Sequence, residues 1–207
     1  MAFVNNIFVG ELFPNLTLAG CIEVYENAWP DPEDTVAEIE KNANDPRSDF
    51  VFQRAKTFEK GSNDLNRTNY NLSITECAIE KNNVFAQNIH NQMYFLLTST
   101  LIPYNKKFGK YGFDFHDDYD LLKYSGGQHY KAHYDGNTDS GRSTSAIIYL
   151  NSDYKGGEIE FVNFNVKIKP EPGMLILFPS NYAYRHIAHP VTEGTKYALV
   201  TWIRDRQ

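Results

Sequence analysis

Residues 143–178 read STSAIIYLNSDYKGGEIEFVNFNVKIKPEPGMLILF. Short runs of Ile, Val, Phe and Tyr alternate with Asn, Asp, Gly and Pro clusters, the pattern of strands joined by tight turns. Working outward from this stretch, strands are expected near Tyr119 to Tyr124, His129 to Tyr134, Ser143 to Leu150, Glu158 to Phe161, Phe164 to Ile168, Met174 to Phe178, Tyr184 to Ala188 and Tyr197 to Ile203. No helical period interrupts the series. That favours an antiparallel sandwich or jelly roll over a βαβ sheet. The 14 Tyr and 14 Phe agree, because aromatic side chains suit a pleated, half-buried surface.

The N-terminal half carries the helical signals. Asp31 is placed to cap a helix with Pro32 at its first position, Glu33 and Asp34 in the first turn, and an end near Asn44. Between about Ser73 and Leu101, Ile79, Phe85, Ile89, Met93, Leu96 and Leu97 recur at three- and four-residue steps, which predicts one long amphipathic helix stopping before Pro103. No repeat, low-complexity tract or long linker appears. The expectation is a single domain over 1–207, with helical support and substrate loops in 1–117 and a catalytic core in 118–207. The fold class is thus mainly β with supporting α, a jelly-roll core flanked by N-terminal helices.

The 207 residues contain 20 basic and 26 acidic side chains, a net charge of -6, which disfavours a general polyanion binder; no nucleic-acid partner is expected. Cys21 and Cys77 cannot form a disulfide framework or a paired zinc site. Apolar runs such as Met174 to Phe178 fall far short of the roughly 20 residues of a membrane helix. Leu18 to Cys21 resembles the end of a lipoprotein signal, but the first basic residue is Lys41 and polar residues interrupt the region. A cytoplasmic setting without membrane association is the expectation.

His133 and Asp135 stand two apart in an alternating segment, so in a strand both leave the same face, roughly 6 to 7 Å apart. A third nitrogen donor is available in His186, on a late strand that a jelly roll can bring beside an early one. Two His and one carboxylate on one face of an octahedron leave three positions open, as in non-haem Fe(II) oxygenases. Spacing alone does not choose this pair, because His116 and Asp118 form a second one. The latter sits in the acidic run from Asp114 to Asp120, which fits a solvated turn.

From Tyr124 to Trp202 the chain resembles the catalytic domain of 2-oxoglutarate- and Fe(II)-dependent dioxygenases, specifically the prolyl 4-hydroxylase group. The matching residues are Tyr124, Gly127, Tyr130, His133, Asp135, Tyr149-Leu150-Asn151, Gly156-Gly157-Glu158, Phe161, Pro170, Gly173, Phe178, His186, Pro190-Val191, Gly194 and Lys196. The resemblance implies the double-stranded β-helix fold, and implies His133, Asp135 and His186 as catalytic iron ligands. By the same resemblance Lys196 pairs with the distal carboxylate of 2-oxoglutarate, Tyr149 hydrogen-bonds that carboxylate, and Tyr124 and Trp202 wall the pocket. A buried anion needs such a cation. The family places its last ligand four residues before the Pro-Val pair, which selects His186 over His189; His129 is expected near the metal without binding it. Gly126, Gly127, Gly156 and Gly157 are read as turn formers without a chemical role.

The implied reaction is hydroxylation of a substrate C–H bond with Fe(II), 2-oxoglutarate and O2, releasing succinate and CO2, with ascorbate as reductant. A carboxylate at Asp135 favours hydroxylation over halogenation, which in the family requires a small residue there. A prolyl residue in a peptide or protein is the expected substrate; a free amino acid, another small molecule or a nucleobase is the alternative. A non-catalytic jelly-roll binding module and a zinc hydrolase are rivals from other classes, neither of which needs Lys196. Substrate is expected to meet the turn from Gly136 to Arg142 and the loop from Phe50 to Tyr70, where Arg54, Arg67 and Arg142 could face an acidic group or simply be solvated. Oligomeric state is not readable from the sequence.

Overall fold

The computed structural model describes residues 2–4, 7–56, 65–109, 113–114, 118–136 and 140–205. Its main sheet runs, edge to edge, through Leu16–Leu18, Ile22–Tyr25, Leu175–Pro179, Arg142–Tyr149, Thr195–Asp205, Asp120–Ser125, Tyr70–Ser73 and Gln53–Arg54, all antiparallel. A smaller sheet orders Val166–Ile168, Ile159–Phe161, His186–Ala188 and Tyr130–His133. Lys155–Gly156 pairs separately with Val191–Glu193. The two sheets form the double-stranded β-helix.

Alternation assigns each face of the main sheet a different partner. Leu121, Ile148, Leu175, Leu177 and Leu199 pack with Ile89, Met93, Leu96 and Leu97 of a helix. Their neighbours Tyr149, Ile176, Phe178 and Ala198 turn the other way, onto Ile159 and Phe161 of the smaller sheet. Burial on both faces explains why Met174 to Phe178 is an unbroken apolar run rather than an alternating one.

The helical layer differs from the sequence expectation in three places. The helix Pro32–Asn44 starts where expected, yet Asp31 adopts a left-handed conformation (φ 46°) and makes no side-chain cap. The long helix expected from Ser73 is two, Ile74–Ile79 and Val84–Lys107, separated by a turn with Asn82 at φ 54° and capped by Ser73 and Asn83, whose side chains accept from Glu76 N–H and Ala86 N–H. Nor does the second helix stop before Pro103. Proline has no N–H for the carbonyl four residues earlier. That carbonyl, on Ser99, instead accepts a 2.9 Å bond from the Leu12 N–H, so the helix passes through Pro103 without an orphaned acceptor.

Residues 1–117 supply more than helices and loops. Four short strands from this half, Leu16–Leu18, Ile22–Tyr25, Gln53–Arg54 and Tyr70–Ser73, extend both edges of the main sheet. At two to four residues each, none is long enough to show a period of two in sequence. In the C-terminal half, the strand expected from Phe164 begins at Val166 after a turn with Asn165 at φ 52°, and Tyr182–Tyr184 forms a short 3-10 turn before His186–Ala188.

Candidate active site

His133 closes the strand Tyr130–His133, His186 opens the strand His186–Ala188, and the two are register partners across the smaller sheet. Asp135 follows just past the strand end. Its carboxylate oxygens lie 3.5 Å from His133 Nε2 and 3.7 Å from His186 Nε2, and one ligand atom from each residue falls within 4.8 Å of the others. Each imidazole is oriented from behind. His133 Nδ1 stands 2.7 Å from the Lys131 carbonyl and His186 Nδ1 stands 3.1 Å from the Tyr184 carbonyl. A carbonyl can only accept, so both Nδ1 atoms carry hydrogen and both Nε2 lone pairs face the centre.

Packing holds the rings in place. Tyr130 stacks on His133 with centroids 3.4 Å apart, and Phe161 and Phe178 flank His186. Burial, with the neighbouring His133 next in weight, lowers His186 to about 4, so it stays a neutral donor. Burial would raise the Asp135 carboxyl, but the neighbouring His186 and His133 imidazoles and the Ser145 hydroxyl together hold it below the ordinary carboxylate range. Ser145 Oγ donates to Asp135 Oδ2 at 2.7 Å and lies 2.8 Å from Ser180 Oγ. The Asp135 and Gly136 N–H groups both donate to the Ser180 carbonyl. Residue 136 must be small, since a Cβ there would lie 2.5 Å from the Arg142 carbonyl oxygen.

The other histidines separate cleanly. His189 Nε2 pairs with Glu160 Oε2 at 2.7 Å, away from the cluster. His129 contacts the Gly127 and Leu65 carbonyls and lines the outer groove. His116 lies outside the described residues.

The cavity between the sheets is lined by His133, Asp135 and His186 together with Lys196, Tyr149, Tyr124 and Trp202, the seven residues singled out in sequence. Lys196 is 3% exposed on the central strand Thr195–Asp205, not a solvated edge charge. Its Nζ donates to the Gly157 carbonyl at 2.6 Å and sits 4.9 Å from the Tyr149 ring centroid and 5.4 Å from that of Tyr124. Among the described residues no carboxylate forms an ion pair with it. An ammonium with three donors and one acceptor, buried beside two tyrosines, is an incomplete site that an anion would complete. Burial, only partly offset by Glu158, lowers Lys196 to about 7. Burial raises Tyr124 to about 12 and holds Tyr149 well above the ordinary tyrosine range, which keeps both hydroxyls protonated as donors. The residues therefore fit both absent groups: two imidazoles with Nε2 turned to the centre and a carboxylate for Fe(II), and a lysine and tyrosines for a dicarboxylate.

Several contributors carry no sequence signal of their own. Gly157 is a turn former at φ 72°, yet its carbonyl is also the acceptor that aims Lys196, a role the turn reading omitted. Ser145 and Ser180 reach Asp135 only through the pairing of Arg142–Tyr149 with Leu175–Pro179, which sets Ser145 opposite Phe178 and brings the Ser180 N–H to the Ser143 carbonyl. Arg67 arrives from the N-terminal half. Its segment is stitched to the strand Tyr130–His133 by Lys131 N–H to the Asn66 carbonyl and Thr68 N–H to the His129 carbonyl, and its guanidinium lies over the Tyr130 ring at 5.0 Å. Arg142 stacks on half-buried Trp202 at 3.8 Å. Arg54 does not line the groove.

Two histidines and an aspartate thus converge between the sheets of a double-stranded β-helix. Residues 109–204 match the sequence profile of the 2OG-Fe(II) oxygenase superfamily. Among curated relatives, a putative prolyl 4-hydroxylase of Acanthamoeba polyphaga mimivirus is 31% identical over 115 residues, covering 46% of this chain and 48% of that protein. Probable prolyl 4-hydroxylase 9 of Arabidopsis thaliana is 30% identical over 119 residues, covering 44% and 41%. The matches thus span less than half of those relatives. Among solved structures, a Trichoplax adhaerens prolyl hydroxylase in complex with a hypoxia inducible factor peptide fragment superposes with a TM-score of 0.73 at 20% identity, covering 90% of this chain and 84% of that one. The viral collagen prolyl hydroxylase of Paramecium Bursaria Chlorella virus-1 gives 0.63 at 22% identity, covering 91% and 98%. At these identities the structural likeness speaks for the fold.

Proposed function

We propose that the protein is a 2-oxoglutarate- and Fe(II)-dependent dioxygenase that hydroxylates a prolyl residue in a peptide or protein. The observation that carries this reading is one cavity holding both the three-ligand cluster and the buried, carboxylate-free Lys196. A zinc hydrolase would have no use for that lysine, and a binding module no use for the oriented imidazoles. His133, Asp135 and His186 hold the metal; Lys196, with Tyr149, takes the distal carboxylate of the cosubstrate; Tyr124 and Trp202 wall the cavity. Bound together, Fe(II), 2-oxoglutarate and O2 supply an oxidant that replaces a C–H bond by C–OH, with 2-oxoglutarate leaving as succinate and CO2.

The chain's own part is positional. Carbonyls behind each imidazole fix the donor nitrogens, Ser145 fixes the carboxylate, and the apolar walls keep water from the reacting centre. Prolyl substrate is supported by relatives that bear prolyl 4-hydroxylase and prolyl 3-hydroxylase names. Ascorbate as reductant, the single domain over 1–207 and a cytoplasmic setting belong to the same reading. No helix among the described residues is long and apolar enough to cross a membrane.

The test is incubation with Fe(II), 2-oxoglutarate, ascorbate and proline-containing peptides in air, with mass spectrometry of the peptide. A one-oxygen gain on proline with equal succinate is expected. Succinate matched by oxygen on a different residue or on a small molecule would overturn the prolyl assignment.

A further inference from the structure

In front of the metal ligands the cavity opens into a groove of about 1240 Å³. Its charge is opposite to that of the molecule. Lys56, Arg67, Lys131, Arg142, Arg185 and Arg204 line it, against a single described carboxylate, Asp135, which is itself committed to the ligand cluster. The whole chain has more acidic than basic residues, 26 to 20.

Several lysines outside the groove are paired with acids. Lys41, Lys81, Lys107, Lys155 and Lys167 each hold a glutamate within 2.8 to 3.2 Å. Lys56, Arg67, Lys131 and Arg185 hold none among the described residues. Arg67 is positioned by neutral acceptors, the Asn69 side chain at 3.1 Å and the Lys56 carbonyl at 3.2 Å, and Arg185 by the Ala132 carbonyl at 3.3 Å. Arg67 also feels the buried Asp120 carboxyl without forming an ion pair with it. Tyr134 and Tyr182, 50% and 78% exposed, stand at the same opening.

We propose that this groove selects a peptide carrying acidic side chains close to the residue that reacts, with Lys131 and Arg185 on the outer rim and Arg67 at the inner end beside the Tyr130–His133 stack. The proposal rests on the prolyl hydroxylase reading for what happens at the metal, but not for what binds. Charge complementarity favours a short acidic segment over a nucleic acid. A polyanion long enough to leave the groove would meet a surface of net negative charge, whereas a few carboxylates pair locally.

Three peptides of equal length share a central proline flanked by Glu, Gln or Lys, and are compared for anaerobic binding to the Fe(II)- and 2-oxoglutarate-loaded protein by fluorescence anisotropy, then for oxygen gain in air. Glu flanks should bind about fivefold tighter than Gln flanks, the worth of one or two exposed pairs, with most of the gain lost at about 0.5 M salt. The double variant Lys131→Glu/Arg185→Glu should reverse the order in favour of Lys flanks, while the distant Lys41→Glu should not. Equal binding of all three, an unchanged order in the double variant, or tighter binding of oligothymidylate than of the Glu peptide would overturn the proposal. Equal binding of all three peptides with oxygen gain on proline would leave the prolyl reading standing and remove this one. Charge-ordered binding with no oxygen gain on proline would do the reverse.

Discussion

Lys196 donates a 2.6 Å hydrogen bond to the Gly157 carbonyl while buried to 3% exposure, so its charge is held by a neutral backbone dipole rather than by a counter-ion. The bond aims the ammonium and leaves its other donors for a ligand. Replacing the lysine should therefore damage cosubstrate binding while sparing the metal. Lys196→Met is expected to weaken 2-oxoglutarate binding by roughly 10- to 100-fold, the worth of one charge-assisted hydrogen bond, with Fe(II) affinity unchanged by titration.

The same burial makes the site sensitive to pH. Lys196 falls from 10.5 to about 7 through desolvation, with Glu158 opposing. Between pH 7 and 10.5 the unfolded chain holds a proton that the ligand-free folded protein lacks, so this group makes stability rise with pH across that window and adds no slope below it. Binding runs the other way. A dicarboxylate pairs with the charged lysine, so affinity is full below about pH 7 and falls by up to about tenfold per unit above it. Calorimetry at about pH 6 and pH 8.5, in buffers of different ionisation heat, should show proton uptake only at the higher pH, and Lys196→Met should lose that uptake.

Ser145 reaches Asp135 from the main-sheet strand Arg142–Tyr149 and donates to Oδ2, the oxygen that lies 3.7 Å from His186 Nε2. Ser145→Ala should cost about tenfold in metal affinity, as loss of a partner behind a ligand does. Titration with Co(II), a spectroscopic stand-in, checks this; unchanged affinity would mean the backbone contacts of Asp135 and Gly136 suffice.

Leu97 is fully buried where the helix Val84–Lys107 meets the outer face of the main sheet. Leu97→Ala should lower stability by about 3 kcal/mol, read by chemical denaturation. The folded protein's 2-oxoglutarate affinity should stay within about twofold, since the cavity lies on the other face of the sheet.

Turn chemistry made the late strands legible. Gly156-Gly157, Pro170–Gly173 and the clusters of Asn and Asp bound them in sequence, and the apolar residues between them really do share faces. His133 and Asp135 could be placed together because a strand repeats every two residues. His186 came within reach only through the topology. What stayed hidden has no local signature: the Gly157 carbonyl belongs to the backbone, Ser145 reads as an ordinary strand serine, and Arg67 nears His133 only because Asn66 and Thr68 hydrogen-bond to Lys131 and His129. The break at Asn82 was masked by apolar spacing that continues across it, and the passage through Pro103 depends on Leu12, roughly 90 residues away in the chain.

The central claim, that His133, Asp135, His186 and Lys196 form one oxygenase centre, is tested most directly by titrating 2-oxoglutarate anaerobically into the Fe(II) protein and following the visible metal-to-cosubstrate charge-transfer band. The band should appear in the wild type, be absent in Asp135→Ala, and require far more 2-oxoglutarate in Lys196→Ala. An iron-replete wild type without a band, or an Asp135→Ala protein with an equal one, would contradict the account.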